Sequence, residues 1–205
     1  MLASKLKNIM PIANPLIWAL PRGGVPVAAE IAQSMKIPME LLVVRKIGAP
    51  KNPEFALGAI SLDNTLVLDQ EKIAGNQVDP NQLEQIIDAE RNELARRQTA
   101  YHCPITFPDL QSSTAIIVDD GIATGATISA AIAVLKKQKA ARIIVAAPVA
   151  SADSARKIRS EADELITIIE PTQMFAVGQF YENFEPVSDD EVLKIIGPFQ
   201  QKNRP

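Results

Sequence analysis

Apolar positions along the chain fall into short unbroken runs, separated by stretches of helical spacing. Residues 16–20 (Leu-Ile-Trp-Ala-Leu) form one such run without polar alternation, the pattern of a strand buried on both faces, and Pro21-Arg22-Gly23-Gly24 ends it in a tight turn. From Val25 onward, Val27, Ala28, Ile31, Ala32 and Met35 recur at helical intervals, with Pro26 in the first turn, where proline is tolerated. Leu41-Leu42-Val43-Val44 predicts a second buried strand, followed by Arg45-Lys46, and residues 47–56, with Gly48, Pro50 and Pro53, read as loop. Residues 57–62 and 65–68 flank Asp63-Asn64, two turn residues that tolerate positive φ, so a β-hairpin is expected there. Asp79-Pro80 opens a helix to about Tyr101, with Leu83, Ile86, Ile87 and Leu94 on one stripe, and Pro104 and Pro108 break the chain after it. Residues 114–118 predict a third buried strand, running into Asp119-Asp120-Gly121-Ile122-Ala123-Thr124-Gly125-Ala126-Thr127 and an Ala-rich helix to about Gln138. Residues 142–147 read as a fourth strand, Ser151 as a helix cap, and residues 165–169 as a fifth strand. Regular alternation of strand and helix implies an α/β fold: an open, mainly parallel twisted sheet with helices on both faces.

Length and composition narrow the class without changing that picture. The chain has 205 residues, the size of one domain spanning 1–205. Only 4% of residues are aromatic, so the core must be aliphatic. Lys+Arg 21 against Asp+Glu 24 gives a net charge of −3, which does not favour a nucleic-acid partner. The densest basic stretch, Lys136-Lys137-Gln138-Lys139, falls at a helix end, where cations suit the dipole. The single cysteine, Cys103, excludes an internal disulfide and fits a reducing, cytoplasmic location. His102 and Cys103 have no spaced partners for a zinc site and read as structural. No apolar run approaches the ~18 residues of a membrane span, and no signal peptide is expected.

In an open parallel sheet, ligands bind beyond the carboxyl ends of the strands. Three polar segments fall at such ends: residues 21–24, Arg45-Lys46 and residues 119–127. Thr124-Gly125-Ala126-Thr127 precedes a helix, and small residues there leave backbone amides open beside two hydroxyls, a phosphate cradle. No Lys follows the glycine, so it is not a Walker loop, and G-x-G-x-x-G is missing. Asp119-Asp120 would repel a phosphate unless it addresses sugar hydroxyls or a metal; a simple cap on the turn is the plainer alternative. Gly23 and Gly24 permit close backbone approach and Arg22 supplies a cation, which would suit an anion; a simple strand-to-helix turn with a solvent-facing Arg22 is the plainer alternative.

The run Val118-Asp119-Asp120-Gly121-Ile122-Ala123-Thr124-Gly125-Ala126-Thr127 resembles the phosphoribosyl-pyrophosphate signature of type I phosphoribosyltransferases. The resemblance implies that Asp119 and Asp120 bind ribose hydroxyls and that Ala123, Thr124, Gly125, Ala126 and Thr127 bind the 5-phosphate. It implies that Arg22, Gly23 and Gly24 form the pyrophosphate loop. Arg45-Lys46 resembles the pair that precedes a mobile loop in orotate members, with Lys46 the first choice for pyrophosphate contact and Arg45 the second. Lys51, in that loop, reads either as exposed or as part of its closure. Phe175-Ala176-Val177-Gly178 and Tyr181-Glu182 resemble the base-site strand of purine members, in which Phe175 would stack on the base and Glu182 would reach the metal-diphosphate. Phe175, Tyr181 and Phe184 also read as plain hydrophobic packing. Two departures leave the base unassigned: Met174 stands where purine members carry a lysine, and Ala123 where they carry an acid.

The expected fold is therefore that of the type I phosphoribosyltransferases, with a β-hairpin and loop and a C-terminal hood. The expected activity is transfer of the 5-phosphoribosyl group from phosphoribosyl pyrophosphate to a nitrogen in a nucleobase or related heterocycle. Mg²⁺ is implied as cofactor and a homodimer as the assembly. The rival reading is a non-catalytic sensor of phosphoribosyl pyrophosphate; a synthetase needs two such domains and a longer chain.

Overall fold

The computed structural model describes residues 1–9, 11–101 and 107–200. In chain order the elements are α1 (Leu2–Lys7), β1 (Pro15–Ala19), α2 (Gly24–Met35), β2 (Met39–Leu41), β3 (Val44–Ala49), β4 (Asn52–Ser61), β5 (Leu66–Leu68), α3 (Gln70–Gly75), α4 (Pro80–Tyr101), β6 (Thr114–Val118), α5 (Ala126–Lys137), β7 (Arg142–Val149), α6 (Ala152–Glu161), β8 (Glu164–Ile169) and α7 (Asp189–Gln200), with a 3₁₀ turn at Val177–Phe180 before α7. His102 and Cys103 lie outside the described residues.

The main sheet has five parallel strands in the order β2-β1-β6-β7-β8. Period-two alternation sends successive side chains to opposite faces. Ile17, Ala19, Ile116, Val118, Ile144 and Ala146 therefore pack toward α1, α2, α4 and α7. Trp18, Leu20, Ala115, Ile117, Ile143 and Val145 pack toward α5 and α6. Both faces are covered, which is why the strands read as continuous apolar runs. The helix expected from Asp79-Pro80 is α4, and the Asp79 carboxylate accepts the Asn81 and Gln82 amides at 3.0 Å.

The second strand departs from expectation. β2 ends at Leu41, and Val44 begins β3 in a separate antiparallel sheet of order β3-β4-β5. Arg45 and Lys46 thus lie inside an antiparallel strand, not beyond the end of a parallel one. Residues 47–56 are not a loop either: β3 and β4 pair across them, with Ala49 opposite Asn52 at the tip. Register shifts on both sides of Gly48 absorb residues that break an ideal ladder, so glycine and proline misled the reading. The hairpin around Asp63-Asn64 forms as expected, with Asn64 at φ 61°. Gln138 at the end of α5 ties it to the main body, donating to Asp63 Oδ2 at 2.5 Å and Thr65 Oγ1 at 2.7 Å.

α1, α3 and α7 have no counterpart in the sequence reading. The first two are only six residues long. α7 did carry a signal, Ser188-x-x-Glu191, and the two residues form a capping box. The Ser188 amide donates to the Glu191 carboxylate at 2.8 Å, and the Glu191 amide donates to Ser188 Oγ at 3.2 Å.

Candidate functional site

The carboxyl ends of β1 and β6 lie side by side, and the chain leaving each carries ligand-type chemistry. The Leu20 amide donates to the Val118 carbonyl at 2.9 Å, so residues 21–24 are laid directly against Asp119-Asp120. A methyl group on Gly23 would stand 1.7 Å from Asp120 Oδ2, and one on Gly24 2.6 Å from the Val118 carbonyl oxygen. The two glycines are therefore demanded first by the acid pair, and only then by a ligand. The Pro21–Arg22 peptide is cis.

Asp119 Oδ1 accepts the Asp120 amide at 2.9 Å. Burial, reinforced by the charge of Asp120, pushes the Asp119 carboxyl well above the usual carboxylate range. Burial raises Asp120 as well.

Beyond the pair, residues 121–128 and Asp119 enclose a cavity of about 160 Å³. Gly125, at φ +71°, is the N-cap of α5, a conformation that favours glycine. Two side chains missed by the sequence reading hold this turn. Ser151 Oγ and Ser154 Oγ, at the start of α6, both donate to the Ala123 carbonyl, at 2.9 and 2.7 Å. Ser151 was recognisable only as a helix cap, a role it also fills by accepting the Ser154 amide. Nothing local in the sequence connects Ser154 to residue 123.

Two larger cavities flank the acid pair. One, of about 780 Å³, lies between the β3–β4 hairpin and α4; Pro21, Arg45, Lys46, Glu90 and Thr127 are among its lining residues. Arg45 Nε donates to Glu90 Oε2 of α4 at 2.5 Å, while Lys46 sits on the next position of β3. The other cavity, of about 450 Å³, lies under residues 181–187 and is lined by Arg22, Gly23, Asp120, Tyr181 and Phe184 among others. Arg22 and Lys46, expected to meet one diphosphate, thus line different cavities.

The C-terminal hood is present; Tyr181 and Phe184 pack within it, and Phe175 does not. Phe175 is 86% exposed, its amide donating to Gln179 Oε1 at 3.0 Å, and it does not line the hood-side cavity. Tyr181 and Phe184 do, with ring centroids 5.1 Å apart. The Tyr181 hydroxyl donates to the Asp120 carbonyl at 2.6 Å, clamping the hood onto the acid pair. Burial, then the two carboxylates, keeps this phenol protonated. Glu182 is exposed on the hood and stands outside that cavity. Among the described residues, no group of three or more His, Cys, Asp or Glu could hold a metal ion by itself. No described helix is long and apolar enough to cross a membrane.

Residues 21–24, the acid pair and the turn before α5 thus follow the adjacent ends of β1 and β6. Residues 1–183 match the family model described as phosphoribosyl transferase domain. Two Mycobacterium tuberculosis proteins, provisionally named phosphoribosyl transferases, are 40% identical over 181 residues, 88% of this chain and 41% of theirs. The chain thus spans about two fifths of the length of the curated relatives it matches. The crystal structure of TT1426 from Thermus thermophilus has 33% identity and a TM-score of 0.86, covering 97% of this chain and 93% of that one. A Neisseria gonorrhoeae protein at 13% identity and TM-score 0.50, covering 96% of this chain and 88% of its own, shares the fold alone.

Proposed function

Because the chain belongs to the phosphoribosyl transferase domain family, we propose that it transfers the 5-phosphoribosyl group of phosphoribosyl pyrophosphate to a nitrogen of a nucleobase or related heterocycle, releasing pyrophosphate. The observation that carries this reading is the fit of Gly23 and Gly24 against Asp119 and Asp120. It sets residues 21–24 against Asp119-Asp120, which supports reading the first as a diphosphate loop beside a diol-binding pair.

In this reading the 5-phosphate takes the amides of residues 123–127 at the start of α5, where backbone dipoles favour an anion. Asp119 and Asp120 accept the ribose hydroxyls and so fix the sugar. Displacement at C1 puts the nucleophile and the leaving group on opposite sides of the ring. Lys46 and Arg45 suit the hairpin side to the diphosphate, and Tyr181 and Phe184 suit the hood side to a flat acceptor. Catalysis then consists of positioning and of charge stabilisation as negative charge grows on the diphosphate. No covalent nucleophile is needed.

The residues present fit Mg²⁺, a hard cation that prefers oxygen ligands and keeps several of its waters. Asp119 and Asp120, a desolvated acid pair, would hold it together with ligand oxygens; Glu182 stands clear of the pair. When bound, the ion neutralises charge on the leaving diphosphate.

A screen of heterocycles for acceptor-dependent pyrophosphate release from phosphoribosyl pyrophosphate tests the proposal. With the acceptor found, Lys46→Ala should lower kcat more than it raises KM, since its attraction grows in the transition state. Tight binding of phosphoribosyl pyrophosphate without release of pyrophosphate to any acceptor would replace the transferase with a sensor.

A further inference from the structure

The family match ends at residue 183, and α7 begins at Asp189, so the first turn of α7 lies outside the shared domain. Its N-terminal carboxylate nevertheless reaches the pyrophosphate loop. Asp189 Oδ1 accepts the Tyr101 hydroxyl at 2.7 Å and lies 3.9 Å from Arg22 Nη1. Its other oxygen lies 4.0 Å from Arg96 Nη1. Burial and Asp189 together raise the Tyr101 phenol to about 12, so Tyr101 is a fixed donor that pins the carboxylate. Arg22 is not pinned: at 3.9 Å it is attracted by charge, not hydrogen bonded, and its side chain is 51% exposed.

We propose that Asp189 is a positioning residue acting through Arg22: it draws the guanidinium to the hood side, as an internal stand-in for the ligand anion, and thereby sets how tightly the diphosphate is held. Three observations converge on this. Arg22 lines the hood-side cavity and Lys46 the hairpin-side one, so the two cations do not converge on one point. Among the described residues, the ion pair of Arg22 is with Asp189. Asp189 is held by the Tyr101 hydroxyl, on the same oxygen that Arg22 approaches, and by the Ser188–Glu191 cap of its own helix, so in any exchange it is Arg22 that moves. A diphosphate arriving at residues 21–24 offers Arg22 bidentate, charge-assisted bonds in place of one loose contact. Asp189 thus weakens diphosphate affinity, which favours release of the product.

The inference rests on the reading of residues 21–24 as the diphosphate loop, and the test separates the two. Inorganic pyrophosphate and ribose 5-phosphate are titrated by calorimetry against the wild type, Asp189→Asn, Arg22→Ala and the double variant. Asp189→Asn, which keeps an acceptor for Tyr101, should bind pyrophosphate about two- to fivefold tighter, the size expected for release of a half-exposed ion pair. That gain should vanish in the Arg22→Ala background, and ribose 5-phosphate affinity should not change in either background. A gain that persists without Arg22 is long-range charge alone and overturns the inference, as does no gain at all or no pyrophosphate binding by either the wild type or Asp189→Asn. Tyr101→Phe leaves the charge in place while removing the buried hydrogen bond; a gain in that variant would trace the effect to loosened packing and overturn it too. Failure of ribose 5-phosphate to bind the wild type counts against the proposed function instead.

Discussion

Gly24→Ala is a substitution whose sign the structure reverses. Gly24 opens α2 with ordinary negative φ, and at such a position alanine stabilises by about 0.4–1 kcal/mol through the unfolded chain. Here the added methyl would stand 2.6 Å from the Val118 carbonyl oxygen and 2.9 Å from Asp119 Cα, both backbone atoms. An ordinary C···O contact is about 3.3 Å or longer, so the ends of β1 and β6 must part by several tenths of an ångström. The Val118 carbonyl is also the acceptor of the Leu20 amide at 2.9 Å, so parting the strands stretches that bond. Overpacking of this kind costs about 1–3 kcal/mol and a weakened hydrogen bond about 1 more. The net loss of roughly 1–3.5 kcal/mol should lower Tm by about 2–14 °C in a chain of this size. Gly23→Ala meets a different obstacle, the Asp120 side chain at 1.7 Å, which can swing away. It should leave Tm within a few degrees of wild type and weaken ribose 5-phosphate binding as much as Asp120→Asn does. Thermal unfolding by circular dichroism and calorimetric titration read both effects. A Gly24→Ala protein as stable as the wild type would show that the strand ends are not clamped together by this contact.

Other expectations follow from the same geometry. Asp119→Asn with Asp120→Asn should abolish ribose 5-phosphate binding while leaving Tm unchanged or higher, because burial already disfavours both charges; a folded double variant with wild-type affinity would sink the assignment. Ser154→Ala removes one of two hydroxyls on the Ala123 carbonyl and should weaken ribose 5-phosphate binding several-fold, about 0.5–1.5 kcal/mol, with pyrophosphate affinity unchanged. Hydrogen bonds from Arg96 and Arg97 lower Glu93 in α4 to about 2. Its folded value lies below its unfolded one, so its contribution is present above about pH 4.5 and is lost as pH falls toward 2. The Tm difference between wild type and Glu93→Gln should therefore shrink as pH falls through that window, and a small difference is expected because the site is near the surface.

How much of this was legible beforehand depended on whether the evidence was local. β6 and β7 were legible because both their faces are buried, so hydrophobicity runs unbroken through residues 115–118 and 143–147. The same logic failed at residues 41–49. Leu42 and Val44 are buried, but under the small antiparallel sheet, and an apolar run does not say which sheet will receive it. Bulges at Gly48 let a strand pass through residues that usually end one, so residues 47–56, the end of β3 and the first half of β4, read as loop. α7 could have been found, since its capping box is a short-range pattern.

The site divides along the same line. The acid pair and the turn after it are contiguous in sequence, and their chemistry is stated by residue type at fixed spacing. The groups that hold them are not contiguous. Ser154 lies 31 positions from Ala123, Tyr181 61 from Asp120, and Tyr101 88 from Asp189. Each of these three makes a contact of 2.7 Å or less to a segment of the candidate site or to its border. A sequence motif therefore names what touches the ligand, whereas the positions from which that motif is braced are fixed only by the packing of helices and hood around the sheet. That is why Phe175, chosen by likeness of motif, lies exposed, while Tyr181, six residues later, closes the hood onto the acid pair. The position of an aromatic along the hood is a weaker guide to its role than the partner its hydroxyl can reach, and phenylalanine has none to offer.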